Sequence, residues 1–198
     1  MIDWLKNINK NSPEFWKSYL TKFEKKSNRY VVLCTETSGL NPKTDVILSF
    51  GAIAVIDYSI RLGDVFEVTI PQYKFLHDNG LSNDFLLESE QPKLSENQAI
   101  EKLIDYIGNA TLVGHRIHFD VEMINQALER LACGRLKNEA LDIEVMHKKL
   151  NDINNANFSM DQLSTIYKIQ KNERISTTDD AYTIALLFLK LKSRLGLK

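Results

Sequence analysis

Three β-rich apolar runs lie between Tyr30 and Ile70, and the short linkers between them suit neighbouring antiparallel strands better than any other arrangement. The first, Tyr30 to Thr35 (YVVLCT), is almost continuously apolar, as a central strand buried on both faces requires. The second, Val46 to Ile56 (VILSFGAIAVI), is interrupted by Gly51. The third, Arg61 to Ile70, alternates between apolar and polar residues. Ser38-Gly39-Leu40-Asn41-Pro42 is turn chemistry between the first two. A β-meander is therefore expected.

The rhythm then changes. Ser95-Glu96-Asn97-Gln98 fits a capping box and predicts a helix over Glu96 to Ile107. Thr111 to Gly114 (TLVG) reads as a short buried strand, followed by a helix from Phe119 to Cys133. Leu141-Asp142 sits near another short strand, before a helix through Met146 and Leu150. Ser159 caps a further helix, and the last runs from Thr178 to Arg194, with Lys190, Lys192 and Arg194 suiting its C-terminal end. The order β-β-β-α-β-α-β-α-α-α predicts an α/β fold, a mixed sheet flanked by helices.

Residues 1–29 read as an N-terminal helical extension and 30–198 as the main domain. In the extension, Phe15, Trp16, Tyr19, Leu20 and Phe23 recur at helical spacing, with Ser12 as N-cap and Pro13 at the first helical position. Such a face admits two readings: packing on the domain's own surface, or docking to a partner protein.

With 198 residues, 43% hydrophobic and 26% charged, the chain has apolar material for a full core. Its 25 basic and 26 acidic residues give a net charge of −1, without the field of a tight, non-specific nucleic-acid binder. A local basic rim is still compatible with nucleic acid. Cys34 and Cys133 form no metal-spacing pattern and read as reduced thiols. No run approaches the ~20 apolar residues of a membrane span. MIDWLKNINK lacks the features of a signal peptide, so a cytoplasmic location is expected.

Three acids stand at element ends: Glu36 after the first strand, Asp120 at a helix start, and Asp180 in the first turn of the final helix. Sites in open α/β sheets assemble at such ends. Three converging carboxylates would repel one another without a cation, and oxygen ligands suit Mg²⁺ or Mn²⁺. Each acid also has a structural explanation. Glu36 fits a solvated charge, Asp120 a dipole-favoured N-terminal acid, and Asp180 a capping box with Thr177.

The residues around these acids resemble a known family. YVVLCTETSGLNPKTDVILSFGAIAV, TLVGHRIHFDVEMINQAL and TTDDAYTIALLFLKL are similar to the three exonuclease motifs of DnaQ-like (DEDD-type) 3′–5′ exonucleases, as found in DNA polymerase III epsilon subunits. ALDIEVMHKKL and FSMDQLSTIYKI match the connecting segments, so the likeness covers roughly residues 30 to 192. It implies an RNase H-like fold with an antiparallel meander followed by parallel strands. It also implies two divalent metals, and single-stranded DNA or RNA 3′ ends as substrate. Glu36, Asp120 and Asp180 then occupy metal-binding, catalytic positions. Thr37, Ser38, Gly39 and Leu40 fall where the family lines the terminal nucleotide, with Leu40 as a wedge beside the base. His77 to Leu86 faintly resembles a further substrate loop.

Two positions depart from the family pattern. Cys34 stands where the family has the Asp that bridges both metals. A thiol with a reference pKa of ~8.5 is mostly neutral at pH 7, and its thiolate is a soft ligand for Mg²⁺. Ile175 stands where the family has a general-base His, and Ser176 where its other subclass has a Tyr. His118 is considered as a compensating group near phosphate or water, and His115 as a residue that shapes the loop. Cys34 with a histidine is considered as a softer Zn²⁺ site. The expected activity is two-metal phosphodiester hydrolysis, weak or absent because of Cys34 and Ile175. The alternative is a non-catalytic module that binds nucleic-acid ends, or docks on a polymerase or repair protein, without a membrane role.

Overall fold

The computed structural model describes residues 12–71, 92–170 and 176–197. The chain begins with helix α1 (Glu14–Thr21) and a single 3-10 turn at Lys22–Glu24. The meander follows as β1 (Tyr30–Thr37), β2 (Ile47–Ile56) and β3 (Ser59–Thr69), and then α2 (Glu96–Ile107). Next come β4 (Thr111–Gly114), α3 (Ile117–Arg130), β5 (Ala140–Asp142), α4 (Ile143–Leu150), α5 (Met160–Ile166) and α6 (Thr177–Arg194). The sheet has five strands in the order β3-β2-β1-β4-β5. The meander pairs are antiparallel, whereas β1–β4 and β4–β5 are parallel. This is the expected RNase H-like mixed sheet.

Alternation along β1 sends its side chains to two cores. Val31 and Leu33 join Phe50 and Ala52 against α1, α2 and α3. Val32 joins Ile53, Val55 and Val113 against α4, α5 and α6. Trp16, Tyr19 and Leu20 of α1 lie in the first core. The Tyr19 hydroxyl donates to Asn138 Oδ1 and accepts from the Lys137 N–H. The apolar face of α1 thus packs on its own domain, and Trp16 is 3% exposed. It is not displayed to a partner.

Several boundaries differ from expectation. Pro13, rather than Ser12, occupies the N-cap of α1, without a side-chain cap bond. β1 extends through Thr37, so Glu36 lies within the strand, paired with Ser49, instead of after it. Helix α3 begins two residues early, at Ile117, because Arg116 at its N-cap takes a left-handed conformation with φ 58°. β2 and β3 join through Asp57 and Tyr58, both at positive φ, as a two-residue type I′ hairpin requires. The capping box at Ser95–Gln98 forms as expected, and the expected cap at Ser159 proves to be a full capping box with Gln162. Among the described residues, no helix is long and apolar enough to cross a membrane.

Candidate active site

The site originates in a mismatch of strand lengths. β4 pairs with β1 only from Tyr30 to Val32. Beyond that point β1 has β2 on one side, with Cys34 opposite Gly51 and Glu36 opposite Ser49. Its other edge opens at the switch between antiparallel and parallel neighbours, where crevices form in open sheets. Helix α3, entering directly from β4, brings Asp120 to that edge. The N–H and hydroxyl of Thr35 both donate to Asp120 Oδ1, at 3.0 and 2.6 Å.

The opposite wall comes from α6. A Cβ on Gly51 would sit 2.4 to 2.6 Å from the Thr177 carbonyl and the Thr178 nitrogen. Only glycine permits this backbone approach, which seats the first turn of α6 on the sheet beside Cys34. The Ser176 N–H donates to Asp179 Oδ2 at 2.9 Å. The helix is therefore capped by Asp179 rather than by the expected pairing of Thr177 with Asp180. Asp180 instead lines the cleft.

The cleft has a volume of about 560 Å³, and its walls include Cys34, Glu36, Asp120 and Asp180. Leu40, 85% exposed, stands at the same opening. Thr37, Ser38 and Gly39 instead shape the turn behind it. Thr37 Oγ1 donates to the Gly39 carbonyl, and Ser38 Oγ donates to Asp45. A Cβ on Gly39 would meet the Asp45 carboxylate at 2.6 to 2.8 Å. His118 is exposed and is not among the cleft-lining residues, whereas His115 is. Ile175 and the segment from His77 to Leu86 lie outside the described residues.

Sequence reasoning missed Thr35, Phe119, Met160 and Asp161, which also line the cleft, and Arg116 beside them. Alternation along β1 puts Thr35 on the other face from Cys34 and Glu36, which is what lets it reach α3. The capping signal at Ser159 placed Met160 and Asp161 at a helix start without showing where that start points.

Burial pushes the Asp120 carboxyl up to about 7. The Thr35 bonds oppose this rise, and the Glu36 charge adds to it. Behind the cleft, Glu144 is 5% exposed and held down to about 2. Its burial acts against the charge but is outweighed by Lys148, the Phe158 N–H and Arg116. His115 Nε2 lies 2.7 Å from the Phe158 carbonyl, which can only accept, so that nitrogen carries a proton.

The oxygen donors fit a hard divalent cation in kind. Among the described residues, however, no three His, Cys, Asp or Glu side chains converge closely enough to hold one. Asp120 supplies the clearest sign of fit. It is a buried carboxylate whose protonation an arriving cation would reverse.

Fold and cleft together define an RNase H-like domain with carboxylates gathered at the open end of its central strand. The profile of the RNase T-type family described as Exonuclease matches residues 31–188, and the chain belongs to that family, within its DnaQ-like group. It is 30% identical over 181 residues to DNA polymerase III subunit epsilon of Buchnera aphidicola subsp. Acyrthosiphon pisum, covering 81% of this chain and 71% of that protein. It is 27% identical over 174 residues to the PolC-type DNA polymerase III of Ureaplasma parvum, covering 84% of this chain but 12% of that one. E. coli exonuclease I in complex with a dT13 oligonucleotide superposes with a TM-score of 0.66 at 14% identity, covering 86% of this chain and 42% of that one. At that identity the likeness is one of fold. Exonucleases of this family use divalent metal ions.

Proposed function

We propose that this domain acts on single-stranded nucleic-acid 3′ ends by metal-dependent 3′–5′ phosphodiester hydrolysis, with weak or absent turnover. The observation that supports this is the meeting of Glu36, Asp120 and Asp180 at one cleft, with Cys34 beside them. Glu36, Asp120 and Asp180 would hold Mg²⁺ or Mn²⁺, which would activate water and stabilise charge on the phosphate. Leu40 would pack against the terminal base, and Thr37, Ser38 and Gly39 would set its position. Cys34 removes one carboxylate, and Ile175 offers no proton acceptor. Losing a general base alone costs about 10²–10⁴-fold. A polymerase or repair protein as partner, and a cytoplasmic location, belong to the same proposal.

Cys34 and Ile175, in place of the family's bridging carboxylate and histidine, favour a second reading, a module that binds 3′ ends without cleaving them. One assay separates the two. The chain and Glu36→Ala are incubated with labelled single-stranded DNA and RNA, with Mg²⁺ and with Mn²⁺. Cleavage lost in Glu36→Ala supports the enzyme. Binding of ends by both proteins, with no cleavage by either, supports the module.

A further inference from the structure

Arg116 carries more hydrogen-bond donors than its surroundings use. Its backbone sits at φ 58° and ψ 38°, a left-handed conformation that Gly and Asn adopt far more readily than Arg. It caps α3 with no side-chain bond, so capping does not explain the side chain. Arg116 Nε donates to Glu144 Oε2 at 3.3 Å. Yet Glu144 is already neutralised by Lys148 Nζ at 2.8 Å and accepts from the Phe158 N–H at 3.0 Å. No other partner of the guanidinium occurs among the described residues, and the side chain is 59% exposed. Arg116 lines the cleft with Glu36, Asp120, Asp161 and Asp180, and is the one Lys or Arg among its described lining residues.

A polyanionic strand entering such a cleft meets carboxylates on several sides. We propose that Arg116, steadied through Nε by buried Glu144, binds a backbone phosphate of the nucleic-acid strand and fixes its register in the cleft. This rests on the proposed reading of the cleft as a 3′-end site. A guanidinium held at one nitrogen keeps its remaining donors for phosphate, which it can grip in bidentate fashion. The contact is to phosphate and carries no base preference.

The test is fluorescence anisotropy of the full chain with a short 5′-fluorescein oligothymidylate in Mn²⁺. Phosphorothioate linkages at its 3′ end keep the probe intact. Arg116→Asn removes the charge while suiting the left-handed backbone, and Arg116→Lys keeps the charge without the planar fork. Arg116→Asn is expected to weaken binding roughly tenfold and to reduce the log–log salt slope by about 0.7, the value for one lost phosphate contact on a single strand. Arg116→Lys is expected to keep the slope while losing part of the affinity. Wild-type binding matched by Arg116→Asn, in affinity and slope, overturns the assignment alone. Weaker binding with an unchanged slope marks a structural role and overturns it too. No binding by wild type, with or without Mn²⁺, overturns the 3′-end reading itself and this inference with it.

Discussion

Asp120 Oδ1 accepts both donors of a single residue, the N–H and the hydroxyl of Thr35. The pair ties α3 to the stretch of β1 that β4 leaves unpaired, and it holds Asp120 in the cleft that Asp180 also lines. Thr35→Val keeps the N–H bond and removes the hydroxyl. Because the Thr35 bonds hold the Asp120 pKa down, this change should push it above about 7. It should also cost about 1 kcal/mol of stability. Carbon-13 titration of the side-chain carboxyl and urea denaturation check the two effects. An unchanged titration would show that Thr35 does not control this acid.

Asp120 also sets a pH dependence of the metal-free protein. Its folded pKa lies above its unfolded value, so between roughly pH 4 and 7 the folded state holds a proton that the unfolded state has released. Stability therefore falls as pH rises through that window. Asp120→Asn should flatten the fall and leave the metal-free variant more stable than wild type at pH 8, on the order of 2–4 kcal/mol. Added Mn²⁺ should stabilise wild type and not Asp120→Asn. Thermal midpoints across pH, with and without the ion, measure both, and parallel curves for the two proteins would exclude Asp120 as the source.

Gly51→Ala puts a methyl against the backbone at the start of α6. Neither the β2 strand nor a helix backbone gives way cheaply, so a loss of about 1–3 kcal/mol is expected. Asp180 would be displaced with the helix. Cleavage or metal binding should then fall even at temperatures where the variant stays folded. A variant with unaltered stability would mean that α6 does not rest on Gly51.

The meander, the alternating second half, the Ser95–Gln98 capping box and the helix start at Ser159 were legible in the sequence, because periodicity and local hydrogen bonding generate them. The three acids were singled out through their motif context rather than by chemistry, since Glu36 or Asp180 alone looks like any polar element end. Thr35 and Arg116 were not legible. The role of Thr35 depends on where β4 stops pairing, and the position of Arg116 depends on a single left-handed residue. Gly51 was visible as a break in a strand pattern, but the helix that requires it lies more than a hundred residues further along the chain.

Glu144 provides an independent acid-side prediction. Its folded pKa of about 2 lies below the unfolded value, so its contribution to stability is fully present above about pH 4.5 and is lost as pH falls toward 2. Glu144→Gln should lower the urea midpoint at pH 7, because the part-buried donors of Lys148 and Phe158 lose a charged acceptor. The expected cost is about 1–3 kcal/mol. The gap between variant and wild type should narrow as pH approaches 2. A gap that stays constant with pH would assign the stabilisation to packing rather than to charge.

Cys34 decides whether the cleft is a damaged enzyme. It lies on β1 between Leu33 and Thr35, opposite Gly51, and lines the cleft with the three acids. A carboxylate at this position would be a fourth hard oxygen donor beside Glu36, Asp120 and Asp180, suited to Mg²⁺ in a way that a thiol is not. Cys34→Asp should therefore tighten Mn²⁺ binding, read by calorimetry. Combined with Ile175→His, it should raise Mg²⁺-dependent cleavage of single-stranded substrates by at least about 10²-fold. The added charge is unfavourable without metal, so the single variant should be less stable than wild type in EDTA and recover when the ion is added. If the double variant folds, binds Mn²⁺ and still cleaves neither DNA nor RNA, the frame around these residues is not that of a 3′–5′ exonuclease, and the end-binding module becomes the better account of the cleft.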